Sequence, residues 1–259
     1  PLFLEALQEA KENIIRFHEA QYKQGYELKE KDNVYLGQRI LPYQRVGVYV
    51  PGGSAAYPSS VLMNVLPARI AGVKEIIMVT PPNKNGTMDP NIAAAAMLAE
   101  VDQIYTIGGA QAIAALTYGT ESIPKVDKIV GPGNAYVAAA KRLAFGQVDI
   151  DMIAGPSEIL IIADAGANPA FVAADLISQA EHDPMASAIL LTIDPTLAKQ
   201  VQNEVNKQAK ALPRKAIITQ SMQAFGAIMI LETMEECIDI ANELAPEHLE
   251  LMVEDSKQY

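Results

Sequence analysis

Val46-Gly47-Val48-Tyr49-Val50, followed at once by Pro51-Gly52-Gly53, decides how this chain is read. Five residues rich in β-branched and aromatic side chains predict a strand, and a proline with two glycines ends it. A helical pattern over residues 59–71 comes next, then a strand-like run from Lys74 to Thr80. The unit repeats through a helix at 90–100, a strand at Gln103–Ile107, Gly108-Gly109 and a helix at Ala110–Tyr118. Lys128-Ile129-Val130 is the next strand, followed by Gly131-Pro132-Gly133-Asn134 and a helix to Leu143. Such alternation predicts parallel sheets with helices on their faces.

The rhythm restarts at Glu158, with strands at 159–163 and 188–192 and helices at 169–181 and 195–212. Short strands at 216–219 and 228–231 and a helix at 235–244 complete it. Both halves run in the same order, so the expected fold class is α/β, with two related doubly wound, Rossmann-like domains. The break between them is expected near Ala154-Gly155-Pro156. Upstream, Leu7, Ala10, Ile14 and Phe17 predict an amphipathic helix over 2–21, joined to Arg45 by a polar connection.

Composition narrows the function. Half of the residues are apolar, and 31 acidic against 20 basic side chains give a net charge of −11. That charge repels phosphate backbones, so nucleic acid is not an expected partner. No apolar run is long enough for a bilayer span and no signal-peptide pattern is visible, so a cytoplasmic setting without membrane is expected. Cys237, the only cysteine, lies between carboxylates on a helical pattern and reads as a core residue, because neighbouring negative charge disfavours a thiolate. The start at Pro1 and the stop at Tyr259 read as those of a core fragment.

Ligands of open parallel sheets bind outside the carboxyl ends of the strands. That rule selects the loops after Val50, Ile107 and Val130, together with the segment entering Glu158 and the helix end at His182. Gly52-Gly53-Ser54 and Gly108-Gly109-Ala110-Gln111 allow close backbone approach. Asn134 is placed as a helix N-cap, where backbone N–H groups favour an anion. None of these loops is the Gly-x-Gly-x-x-Gly fingerprint. Among three histidines, His248 follows Glu247 behind Pro246, and His182 stands three residues after Gln179 on one helix face. An acid beside an imidazole offers two groups for proton transfer. Each feature also has a plain structural reading: a βα turn for the glycines, a polar helix end for Gln179 and His182, a helix exit for Pro246-Glu247-His248, a turn for Ser157.

Taken together, these segments resemble the histidinol dehydrogenases. The resemblance is carried by Val48 to Ser54, Gly108 to Ala114, Val130 to Asn134, Ala154 to Glu158, Ser178 to His182 and Ala245 to Leu249, and runs from about Arg45 to Leu251. It implies NAD- and zinc-dependent oxidation of L-histidinol to L-histidine through the aldehyde, in a homodimer. It implies Tyr49, Gln111 and Asn134 as NAD contacts, and Ser157, Gln179, His182 and His248 as substrate contacts. Gln179 and His182 would also ligate zinc, and Glu247 and His248 would be the acid–base pair. The implied organisation is one domain of residues 1–46 plus 155–259, with residues 47–154 inserted as the NAD-carrying domain. The family's remaining zinc ligands lie beyond the Pro-Glu-His motif, so this fragment alone is expected to bind zinc weakly and to be inactive. The alternatives are a dehydrogenase of the same family for another amino alcohol, and a non-catalytic ligand-binding relative.

Overall fold

The computed structural model describes residues 2–52, 56–153 and 155–259. The chain divides into two compact units, Pro1–Ala154 and Gly155–Tyr259.

The first unit holds helices α1 (Leu2–Glu19), α2 (Pro58–Ile70), α3 (Pro90–Leu98), α4 (Gly109–Tyr118) and α5 (Ala135–Ala144). Strands β3 (Arg45–Tyr49), β4 (Glu75–Val79), β5 (Gln103–Tyr105), β6 (Lys128–Val130) and β7 (Asp149–Ile150) form one parallel sheet in the order β5-β4-β3-β6-β7. The apolar runs are continuous because both faces are covered. Val46, Val48, Ile76 and Met78 pack in a core with Leu62, Leu66 and Ala95. Tyr49, Ile77, Val79 and Ile129 point the other way, against Ile113, Leu116 and Val137. The chain winds from β3 out to β5, then crosses back to β6, so the order reverses between β3 and β6.

The second unit repeats this plan. Strands β8 (Glu158–Ala163), β9 (Ser187–Thr192), β10 (Gly226–Ile230) and β11 (His248–Met252) form a parallel sheet in the order β10-β9-β8-β11. Helices α6 (Pro169–Ala180), α7 (Pro195–Ala211) and α8 (Lys215–Phe225) contribute to one core, and α9 (Met234–Leu244) to the other. The first four strands of each unit therefore share one winding order, which makes both units doubly wound.

Four details depart from the sequence reading. Residues 216–219 are not a strand but part of α8, where Ile218 and Ser221 form a buried stripe and the Ser221 hydroxyl donates to Ala186 O at 2.8 Å. Pro246 and Glu247 do leave α9, but His248 already opens strand β11, which the sequence reading did not include. The polar connection forms an antiparallel pair, β1 (Tyr26–Lys31) with β2 (Val34–Gln38), exposed throughout. Finally, α1 belongs to the first unit, not with residues 155–259. Its Leu7, Ala10, Ile14 and Ile15 pack with Leu62 and Ala99, and Lys11 Nζ donates to Leu98 O, while Phe17 is exposed.

Helix starts are well specified. Asp194 caps α7 by accepting from the Thr196 and Leu197 N–H groups. Asp194→Ala is expected to cost about 1 kcal/mol in a urea unfolding curve, and an unmoved midpoint would contradict the cap.

Candidate functional site

In the first unit the order reversal opens at the carboxyl ends of β3 and β6, and three of the predicted residues lie along this carboxyl edge: Tyr49 ends β3, Gln111 stands in the first turn of α4 and Asn134 caps α5. The Tyr49 ring is buried, and its hydroxyl accepts the Gly109 N–H at 3.0 Å, tying the end of β3 to the loop after β5. Gln111 is exposed two residues further, in the first turn of α4. Gly131 has φ +106°, and a Cβ there would lie 2.1 Å from Tyr49 O, so only glycine lets the two loops approach this closely. Asn134 caps α5, as expected, its side chain accepting from Tyr136 N and Val137 N. Gly53 and Ser54 lie outside the described residues.

What holds this loop is a pair that the sequence did not advertise. Lys141 on α5 is buried, and its ammonium meets Asp151 and donates to Gly131 O at 3.0 Å. Asp151 accepts the Gly131 N–H at 2.7 Å through its other oxygen. Both backbone groups of Gly131 are therefore fixed by one ion pair. An amphipathic lysine in mid-helix reads as solvated in sequence, and only the fold turns it inward.

The second unit uses its opposite edge. Ser157 precedes β8, and its carbonyl accepts from Ser187 N at the start of β9. Helix α6 runs back from the carboxyl end of β8 to the amino end of β9, so Gln179 and His182 arrive at the amino edge. His182 O accepts from Arg214, and the Asp183 carboxylate caps the turn at Met185 N. His248 opens β11 opposite Ile159 of β8. Ser157, Gln179, His182, Glu247 and His248 thus share the amino edge of this sheet. The expectation that the Ser157 and His182 segments lie at carboxyl ends is corrected.

His248 and Glu247 approach to 4.0 Å between Nε2 and Oε1, with half-exposed side chains. On the strand face shared with His248, Glu250 sits beside Asp175 of α6, and burial followed by the Asp175 charge raises its pKa. Asp175 and Glu250 were missed. Their signals were the spacing of Asp175 four residues before Gln179, and the period-two run His248-Leu249-Glu250-Leu251-Met252.

Gln179 and His182 provide two donors. No group of three or more His, Cys, Asp or Glu suited to a metal occurs among the described residues. Structural zinc sites take four protein ligands and catalytic ones three, so the residues present do not fit a complete zinc site. Cys237 is fully buried, and burial first, then Glu236, pushes its thiol up. It is expected to resist an aromatic disulfide reagent in the native state and to react on unfolding in urea; rapid native labelling would refute a core role. No described helix is long and apolar enough to cross a membrane.

Comparison with known proteins agrees with this architecture. Histidinol dehydrogenase of Listeria monocytogenes serotype 4b is 61% identical over 259 residues, all of this chain and 60% of the relative. That of Bacillus cereus is 60% identical over 253 residues, 98% of this chain and 59% of the relative. The crystal structure of histidinol dehydrogenase from Elizabethkingia anophelis superposes with a TM-score of 0.94 at 46% identity, over 98% of this chain and 59% of that one. An acetylating aldehyde dehydrogenase from Geobacillus thermoglucosidasius shares the fold alone, with a TM-score of 0.58 at 16% identity over 95% of this chain and 68% of that one. The chain spans about 60% of the length of the curated relatives it matches. The histidinol dehydrogenase family profile matches residues 1–259, and with the loops and sheet edges described above it makes this chain a member of that family.

Proposed function

We propose that this chain supplies the NAD-binding unit and the acid–base residues for oxidation of L-histidinol to L-histidine by the complete, dimeric protein. The observation that carries the reading is the meeting of Ser157, Gln179, His182, Glu247 and His248 at one sheet edge, with β11 seated beside β8. For NAD, the carboxyl ends of β3 and β6 fit the group: they flank the order reversal, Gly131 leaves no side chain between them, and the Tyr49 hydroxyl ties the start of α4 to them. Gln111 and Asn134 would hold it on the exposed rim, with Tyr49 bracing the loops beneath. NAD, when bound, accepts hydride from the carbinol carbon.

The chain's own residues would manage protons. His248 takes the hydroxyl proton, for which a neutral imidazole is suited near pH 7. Glu247 then takes a proton from the water that adds to the aldehyde, giving the diol that is oxidised in the second half. Water is the natural attacking group because the one thiol is buried in a core. Gln179 and His182 are proposed to contribute to zinc binding in the complete protein, and Ser157 to contact the substrate.

The test is NADH formation by the full-length protein with added zinc, comparing L-histidinol with an amino alcohol lacking the imidazole. Turnover confined to histidinol supports the reading. Turnover of the analogue alone would make it a dehydrogenase for another amino alcohol, and none with either would favour a binding protein.

A further inference from the structure

Strand β11 turns His248, Glu250 and Met252 to one face, since side chains alternate along a strand. Met252 joins the core that α6 helps to build, whereas Leu251 joins the core with Cys237 of α9. The face carrying His248 is therefore the α6 face. Halfway along it, Glu250 Oε2 is buried and has no hydrogen-bond partner among the described residues except what Asp175 can offer. Asp175 is within hydrogen-bonding reach but, when ionised, has only acceptors. A buried carboxylate oxygen against a second carboxylate is costly unless a proton lies between them. The groups around Glu250 are few. Asp175 faces it from α6, His248 opposes the effect from β11 itself, and the β8 residue in register is Ile161, which is apolar.

The location gives the pair its consequence. Asp175 is one turn before Gln179 on the same face of α6, and His182 lies in the turn just past the helix end. Glu250 is two residues from His248, on the same strand face. We propose that Asp175 and Glu250 are a positioning pair, which pins α6 to β11 and so sets the spacing of Gln179 and His182 from His248. This rests on the function proposed above for those residues. Neither carboxyl touches the reacting atoms; both act through the residues they align. The sign of the pH effect follows. Glu250 binds its proton more tightly folded than unfolded, so its contribution is complete below the ordinary carboxylate range and is lost as pH rises through the raised folded value.

The experiment uses the full-length protein with Glu250→Gln and Glu250→Ala variants. The amide of glutamine donates permanently to Asp175, so E250Q is expected to keep kcat within about threefold and to flatten its decline at higher pH. E250A is expected to lose about 10- to 100-fold in kcat through misplacement, with KM for NAD little changed. Thermal unfolding gives a readout independent of turnover: the wild-type melting temperature falls with rising pH over the window just stated, and that of E250Q falls less. The proposal is overturned if E250Q loses as much kcat as E250A, if E250A matches wild type, or if the melting profiles of wild type and E250Q superimpose. An inactive wild-type protein would sink the proposed function and the positioning role with it, while the melting profiles would still decide whether the pair shares a proton.

Discussion

His248→Ala is expected to lower kcat for histidinol oxidation by the full-length protein by about 10²- to 10⁴-fold, the range for loss of a positioned general base. KM for NAD should change little, because the residues proposed to hold NAD do not include His248. The argument is geometric. His248 is the first residue of β11, fixed by its pairing with Ile159, and half-exposed at the edge where Ser157 and α6 end. A ring on a paired strand has a fixed base from which to reach a substrate, and water can enter beside it. Steady-state rates with histidinol and NAD decide the matter. A variant retaining more than a tenth of wild-type kcat would remove His248 from the proton-transfer role.

Lys141→Met is expected to destabilise the first unit by about 3 kcal/mol, the lower part of the range for breaking a buried ion pair. The lysine side chain is only 4% exposed and Asp151 28%, so the orphaned carboxylate keeps some hydration and the full penalty is not reached. Gly131 O loses its donor as well. Adding Asp151→Asn should recover part of the loss, since no unpaired charge then remains. Urea unfolding followed by circular dichroism reads both changes. A K141M midpoint equal to wild type would mean that the pair does not hold the loop after β6.

Much of this fold was legible because its central strands are buried on both faces. Val46 to Val50, Glu75 to Val79 and Ile159 to Ala163 are near-continuous apolar runs between breakers, and such runs have few other homes. Where burial is one-sided the reading faltered. Ala216-Ile217-Ile218-Thr219 carries strand-favouring side chains, but packing of Ile218 and Ser221 made it helix. The start of β11 was hidden behind Pro246, and its five-residue alternation was too short to stand out. At the site, the N-cap role of Asn134 was legible from residue type and position. The edge shared by Ser157, Gln179, His182 and His248 was not, since it depends on which strands are neighbours. The same holds for Lys141 with Asp151 and for Asp175 with Glu250, whose partners are chosen by the fold.

The seating of β11 beside β8 also orders events in time. Glu254 N, just past β11, donates to Asp164, just past β8, across a separation of 90 residues. Neighbouring strands β8 and β9 can zip together around α6 alone, but β11 must wait for α7, α8, β10 and α9. Contacts that close long loops form late because chain entropy opposes them until other structure shortens the effective span. During synthesis the amino edge therefore stays without His248 until the rest of the second sheet exists. Within the second unit, the residues proposed for proton transfer are therefore seated only after the strands and helices that aim them.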